Sequence, residues 1–457
     1  MKRFSFNKGS WKYYFGKIKR SSNYLNFYTQ SFLASIFLLL ALITKEKIIF
    51  YALFSILILL NLLNWRFFVS FCIQFILIFL LWNFKMESHE LKETEIQGYF
   101  RIEKIMNNAV VLNYKGFNIS VYSNNLNLKV NDIVTTNLKI IKIKNIGFFE
   151  LSQKIFYKAT YDELKYIEHF YSLNEKLLNN HGQYSKTFLS LLLFGNKDEY
   201  SKDLFNQMIN INVAHLFVIS GIHLSFLYFL ISKILKLLKI NKHFLRIINF
   251  LLLFLYLIFL NFQISALRAF WFLLIFKMNK WYFKGKFNKF DILSFVCLFF
   301  LLIDPLWLFN ISFLFSFSIS FFVLINVDIF SNIKYEWKRN ILIIFATFFI
   351  GLLHSLFLSK QISVLGCFYQ ILLTPIVIFS YLISPFFIYF KISSELYFNL
   401  LNSVLEILTK ANVKINLPFK PNNYVLLLLS LYALLFLNEK NREINLHLSF
   451  FQKYLHQ

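Results

Sequence analysis

Carboxylates are scarce in this chain of 457 residues: 23 Asp and Glu stand against 48 Lys and Arg, a net charge of +25. That imbalance is compatible with an anionic partner, although the Phe, Lys, Asn, Ile and Leu bias suggests an AT-rich coding sequence and part of the charge is compositional. Cysteine is sparse too. Cys72, Cys297 and Cys367 lie in apolar segments without metal-ligand spacing, so no disulfide and no metal centre is expected. No Gly-rich phosphate loop occurs, which excludes nucleotide hydrolysis by a P-loop route, and no cofactor motif is present. No small-residue cleavage site follows the basic first 30 residues, which argues against a signal peptide and for a cytoplasmic lead-in holding the N-terminus inside. No internal repeat is visible, which counts against a transporter assembled from paired halves.

What the chain has in quantity is apolar sequence. Hydrophobic residues make up 58%, with 61 Phe, and this excludes an ordinary soluble domain. The expected architecture is a polytopic α-helical membrane protein of about ten crossings. Residues 1–84 hold the basic N-terminus and the apolar runs Ser31–Ile43, Ile48–Leu63 and Phe67–Phe84. With the N-terminus inside, these place residue 85 outside. Residues 151–212 are expected to form a helical connector at the membrane surface, 213–437 the main membrane domain, and 438–457 a polar tail. Basic loops at Lys233–Arg246 and Lys277–Lys289 flank an out-and-back pair of apolar runs, which puts both on the cytoplasmic side.

Residues 85–150 differ in kind. Glu95–Glu103, Ala109–Tyr114, Phe117–Tyr122 and Ile133–Ile143 alternate with period two, and Lys115-Gly116 supplies a two-residue hairpin turn. Short strands separated by polar loops predict a small extracytoplasmic β-barrel of the OB type. OB barrels bind single strands by stacking bases on aromatics beside cations. Tyr99, Tyr114 and Tyr122, with Arg101 nearby, are the candidates, while the competing expectation for any single ring is that it fills the barrel core.

The stretch Ala214-His215-Leu216-Phe217-Val218-Ile219-Ser220-Gly221-Ile222-His223-Leu224 places two imidazoles and a Ser-Gly step in an apolar run. Polar groups at membrane depth must find partners or line a wet cavity. In an unbroken helix His215 and His223 would lie roughly 12 Å apart, too far to share one metal. Gly221 allows the helix to break and free backbone groups. The alternative is an interface histidine and a close-packing Ser-Gly step. Further on, Ser265 and Arg268 share a helix face, and a guanidinium at membrane depth costs several kcal/mol unless paired, snorkelling or wet. Asp304-Pro305 suits a helix N-cap, with Asp304 also available as counter-ion to Arg268. The serines of Ile311–Ser320 can bridge helices or wet one face of a pore.

The Ala-His-Leu-Phe-Val-Ile-Ser-Gly-Ile-His-Leu stretch resembles the signature of the ComEC family of competence proteins. Leu191-Leu192-Leu193-Phe194-Gly195-Asn196 ahead of it, Ser265-x-x-Arg268-Ala269 and Asp304-Pro305 after it are similar in the same order. Two departures stand out: Asn131-Asp132 replaces the family's Gly-Asp in the barrel, and a Gly usual just before the Ala-His step is absent at Asn212-Val213. The resemblance implies a multi-pass plasma-membrane channel component, not an enzyme, that passes single-stranded DNA inward during natural transformation. His215, Ser220, Gly221, His223, Ser265, Arg268 and Asp304 would line the path. The implied partners are single-stranded DNA, membrane lipid, a DNA receptor and a cytoplasmic helicase motor, with a second copy of the chain as a candidate. Many family members end in a metallo-β-lactamase-like domain with a His-x-His-x-Asp-His motif. That motif is absent here, so a separate nuclease is expected. The competing reading is a transporter for nucleotides or another small solute.

Overall fold

The computed structural model describes residues 27–43 and 65–416, apart from short gaps at 89–90, 92–93, 107–108, 123–127, 144–145, 197–201, 331–332 and 359–360, together with scattered residues between 51 and 61. The basic lead-in, most of the run Ile48–Leu63, the expected last span Val425–Leu437 and the polar tail lie outside the described residues.

Helices α1 (Phe27–Ile43) and α2 (Trp65–Ser88) pack side by side ahead of the barrel. Their contact is cross-linked where Ser31 and Ser70 hydroxyls meet at 2.9 Å, a polar bridge between otherwise apolar faces. The barrel follows: β1 (Glu95–Met106), β2 (Ala109–Tyr114), β3 (Phe117–Tyr122), β4 (Asp132–Lys142), the short helix α3 (Phe148–Gln153), β5 (Ile155–Tyr161) and β6 (Lys165–His169). The strand order is β1-β2-β3-β5-β4, closed by a β1–β4 pairing, with β6 added to the outer edge of β4. Only the β3–β5 pair is parallel. This is a five-stranded closed barrel with the crossed order of the OB type.

Alternation builds it. Along β1, Ile96, Phe100 and Ile102 point into the core, while Glu95, Gln97, Tyr99, Arg101 and Glu103 do not. The hairpin turn has φ +48 at Lys115 and +90 at Gly116, the double positive φ a tight two-residue turn requires. Asn131, standing where the family tends to carry Gly, takes φ +73. Asn tolerates that left-handed region better than most side chains, so the departure keeps the backbone path.

One sequence expectation needs correction. The barrel does not end at residue 150: β5 closes it and β6 extends it, so the segment read as a helical connector begins with strands. Closure comes from pairing Ile155–Tyr161 with strands far away in sequence, and no local period reports such a partner. Among the described residues four helices are long and apolar enough to cross a membrane: Trp65–Ser88, Ala214–Leu237 (interrupted at 218–220), Lys242–Phe259 and Gly366–Phe387. Shorter apolar helices accompany them, at Thr29–Leu40 and Ile311–Val327.

The remaining elements are α4 (Leu173–Leu178), α5 (Gln183–Leu189, continuing as a wider turn through Phe194), α6 (Lys202–Asn210), α7 (Ala214–Phe217), α8 (Gly221–Leu237), α9 (Lys242–Phe259), α10 (Ile264–Trp281) and α11 (Lys289–Ile303). After a 3-10 turn at Pro305–Phe309 come α12 (Ile311–Ile329), α13 (Glu336–Leu358), α14 (Gly366–Phe387) and α15 (Lys391–Lys410). The segment containing Pro375 and Pro385 forms one helix, α14, with both prolines inside it. A two-stranded ribbon pairs β7 (Gln361–Ser363), just before α14, with β8 (Lys414–Asn416), just after α15.

The barrel is fastened to the bundle at Asp304. The Asp304 carboxylate accepts the Leu306 N–H at 3.1 Å and so caps the 3-10 turn, with Pro305 at the first position. Its other oxygen takes the Lys154 ammonium at 2.5 Å, at the left-handed C-cap of α3. Asp304 is therefore not the counter-ion of Arg268. Its charge is neutralised by the barrel, a partner that lies 150 positions earlier and that sequence spacing does not reveal. Replacing Asp304 with Ala is expected to cost about 2 kcal/mol, roughly half from the cap and half from the pair. Asp304→Asn keeps the capping oxygen and is expected to cost about half as much. Thermal unfolding of the two purified variants separates the terms: equal losses would show that the cap contributes nothing, and an unchanged Asp304→Asn that the ion pair contributes nothing.

Candidate functional site

The signature stretch is a broken helix. Helix α7 ends at Phe217, Val218 to Ser220 run extended, and α8 starts at Gly221. Local chemistry explains the break. Ser220 is the N-cap of α8, and His223 Nδ1 accepts its N–H at 3.1 Å and lies 3.0 Å from its hydroxyl. This is the side-chain-to-backbone arm of a capping box, with His in the place where Glu or Gln is usual. Since Nδ1 accepts a hydrogen bond, the ring proton of the neutral imidazole sits on Nε2. The ring is buried and lies edge-on to Tyr381 of α14, centroids 4.7 Å apart.

Upstream, Asn212 takes φ +59 at the end of α6, and its carbonyl receives the Gln370 side-chain N–H at 3.1 Å. The missing Gly of this step is thus replaced by an Asn in left-handed backbone. Gly366 packs against the same turn, where a Cβ would stand 3.2 Å from Asn212 Cβ and from the Ile211 carbonyl oxygen.

Helix α10 lies against the break. Ser265 Oγ donates to the Ile219 carbonyl at 3.0 Å, meeting a backbone group that the interrupted helix leaves free. One turn on, Arg268 reaches the same place: a Cβ added to Gly221 would lie 3.6 Å from an Arg268 terminal nitrogen and 3.6 Å from Ala269 Cβ. The guanidinium thus rests beside the first residue of α8. Its Nε donates to Ser316 Oγ of α12 at 3.0 Å, and among the described residues no carboxylate pairs with it. Arg268 is half-buried. It is a cation set among hydroxyls and carbonyls, with terminal N–H donors that could address a phosphate oxygen.

The structure therefore gathers Ser220, Gly221, His223, Ser265 and Arg268 around one helix break. Within that group the roles differ. Arg268 remains half-exposed, whereas His223 is buried and engaged in capping. His215 sits in α7 on the near side of the break and is exposed. Asp304 is elsewhere, at the barrel junction. Two residues that sequence reasoning did not single out complete the site. Ser316 was one of several evenly spaced serines, and only the packing of α12 on α10 selects it. Tyr381 carried no signal in a chain with 25 Tyr and 61 Phe.

The motif Leu191–Asn196 docks on the same helix. Gly195 takes φ +62, and Gln263 donates its side-chain N–H to the carbonyls of Phe194 at 3.2 Å and Gly195 at 2.6 Å. Gln263 is the N-cap of α10, so this contact sets where the Arg268 helix starts.

On the barrel, the four candidate residues separate. Tyr99 is 72% exposed and shares the outer face of β1 with Arg101. The Arg101 guanidinium covers the Phe170 ring at 5.5 Å and donates to Asn131 Oδ1 at 2.7 Å. Tyr114 turns partly inward against Phe100, centroids 5.3 Å apart. Tyr122, 69% exposed, sits at the far end of β3 opposite Ala109. Filling the core is therefore the role of neither Tyr99 nor Tyr122. Phe170, just beyond β6, joins Tyr99 and Arg101 and was not picked out from sequence.

Ser220→Ala tests how much of the break depends on the cap. It removes the hydroxyl that meets His223 Nδ1 at 3.0 Å, at a cost of about 1 kcal/mol, and is expected to leave transport partly alive. Complete loss of transport at unchanged stability would instead assign the hydroxyl a chemical task.

Apolar helices of spanning length, a five-stranded barrel of the OB type and a bundle helix broken beside an arginine define a membrane protein carrying a small β-barrel. The chain belongs to the competence protein family, whose sequence model ("Competence protein") matches residues 192–441. It is 32% identical over 201 residues to a protein of Mycoplasma pneumoniae named as an uncharacterized homolog of MG316, covering 43% of this chain and 49% of that one. It is 31% identical over 247 residues to the uncharacterized protein MG316 of Mycoplasma genitalium, covering 52% of this chain and 61% of that one. The chain thus spans about half to three-fifths of these curated relatives. No solved structure matches it.

Proposed function

We propose that the chain is a multi-pass plasma-membrane protein of about ten crossings that conducts single-stranded DNA inward during natural transformation. The observation that carries this reading is Arg268, set half-buried at a helix break among Ser265, Ser316 and the freed Ile219 carbonyl, without an acidic partner among the described residues. A moving polyanion needs enough attraction to enter and little enough to leave, and a single guanidinium among neutral hydroxyls meets both demands. The barrel, on the extracytoplasmic side, receives the strand on the face holding Tyr99, Arg101 and Phe170, where bases can stack beside a cation. In this reading the chain is no enzyme and holds no metal or cofactor. A cytoplasmic helicase supplies the work, and a separate nuclease degrades the second strand.

Uptake into reconstituted vesicles tests the reading. Labelled single-stranded oligonucleotide is expected to enter when a motor or a trapping protein is inside, while labelled mononucleotide is not. Entry of mononucleotide alone would replace the channel with a small-solute transporter.

A further inference from the structure

At the end of the bundle away from the break, three helices bring cations together with no acidic partner among the described residues. Lys236 lies in the last turn of α8, Arg246 in the second turn of α9, Lys280 in the last turn of α10 and Lys277 one turn before its end. The Arg246 guanidinium sits over the Trp281 ring at 4.5 Å, and the Lys277 ammonium over the Tyr228 ring at 4.8 Å. Lys280 covers Phe276 at 4.7 Å. Lys236 and Lys280 are both close enough to Lys277 to act on its charge, and both repel it. None of the four has a carboxylate partner in any ion pair among the described residues.

The frame that holds them is cross-braced. Asn249, buried between α8 and α9, donates its side-chain amide to Ser232 and to the Tyr228 carbonyl. Buried Asn279 bonds both the N–H and the carbonyl of Phe287, at 3.2 and 2.8 Å, and so folds the turn after α10 back onto it. Arg246 and Lys277 are half-buried, their apolar stems flanked by aromatic rings. Flexible surface lysines satisfying a topological charge bias alone would need neither fixed rings beneath them nor buried amides bracing the helices.

We propose that Lys236, Arg246, Lys277 and Lys280 form a binding site for the phosphate headgroup of an anionic phospholipid, seated between the ends of α8, α9 and α10. Cations resting on aromatic faces keep their full charge and leave their outward N–H donors for an oxyanion. Two of the three helices are of spanning length and apolar, so their ends lie at the level where lipid headgroups sit, and basic pockets between helices at that level suit such headgroups. Tyr282, exposed next to Trp281, supplies the amphipathic ring expected at a membrane boundary. The site stands whether or not DNA passes through the protein.

The test uses the full chain, purified in neutral detergent and supplied with phosphatidylglycerol or phosphatidylcholine, with retained lipid counted by native mass spectrometry. Phosphatidylglycerol is expected to be retained and phosphatidylcholine not. Arg246→Gln with Lys277→Gln is expected to weaken retention roughly 30-fold, about what two juxtamembrane cations contribute. Arg246→Lys with Lys277→Arg, which keeps both charges, is expected to retain the lipid, and Lys284→Gln with Lys286→Gln on the adjoining turn is expected to change little. Equal retention of phosphatidylcholine, or undiminished phosphatidylglycerol in the Gln variant, would overturn the site. Two further arms separate the sources of phosphate. Stabilisation by inorganic phosphate with no lipid retained would assign a soluble anion instead. Retention of a single-stranded oligonucleotide in place of lipid, with the same residue dependence, would make the patch part of a strand's exit.

Discussion

Arg268→Ala is expected to abolish DNA uptake, by about a hundredfold or more, while the protein still inserts and folds. A large functional loss follows from scarcity: no other arginine stands among the residues gathered at the break, and its neighbours there are neutral hydroxyls, carbonyls and Gly221. Stability should change little, because the side chain makes one neutral hydrogen bond, to Ser316, and a half-buried cation without an acidic partner adds little to folding. Arg268→Lys separates charge from shape. It keeps the cation but loses the Nε donor and the planar pair of terminal donors, so an intermediate rate is expected if phosphates are addressed in that geometry. Transformation frequency in a competent host, or oligonucleotide entry into vesicles, measures all three variants. Wild-type uptake by Arg268→Ala would remove this residue from any conduction mechanism.

The same helix shows how far sequence reaches. That Arg268 and the Ser220-Gly221 step would need polar partners was legible because polar groups in apolar runs are costly, and cost is a local property. The barrel strands were legible for a similar reason: Ala109–Tyr114 and Phe117–Tyr122 alternate, and Lys115-Gly116 permits only a tight turn between them. The break at Gly221 was expected, and the capping box gives its cause. What stayed hidden depends on contacts between distant positions. Lys154 takes Asp304 across 150 residues, β5 closes the barrel against β3 and β4, and Tyr381 meets His223 from α14. Aromatic richness compounded this: with rings everywhere, composition could not mark Phe170 or Tyr381 as different from packing.

His223 shows a finer limit. An imidazole in an apolar run suggests a ligand or a path-lining group, and its spacing of three from Ser220 equally suits a capping box. The structure uses the second property. Its Nδ1 is occupied by Ser220, and the ring is covered by Tyr381, so the contribution to the site is to hold the break open rather than to face a passing strand.

The largest expected effect on stability lies at Gly195, and a double-mutant cycle can show why. An added Cβ there would stand 2.3 Å from the Gln263 side-chain amide, and the backbone sits at φ +62. Gly195→Ala is therefore expected to cost about 1 kcal/mol in backbone strain and to turn the Gln263 amide away. Losing its two hydrogen bonds, to the Phe194 and Gly195 carbonyls, costs about 1 kcal/mol each. The total is about 3 kcal/mol. Gln263→Ala alone should cost about 2 kcal/mol for the same two bonds. If the amide is the element displaced, the double variant should cost about 3 kcal/mol rather than the additive 5, a coupling near 2 kcal/mol. Strict additivity in thermal or denaturant unfolding would mean that the two residues do not share this contact. The cycle also has a functional readout. Gln263 caps the helix that carries Ser265 and Arg268, so releasing it should let that helix start fray and lower DNA uptake in the single variants, even under conditions where both remain folded. A destabilised variant with full uptake would show that the position of Arg268 is set by the Ser316 and Ile219 contacts instead.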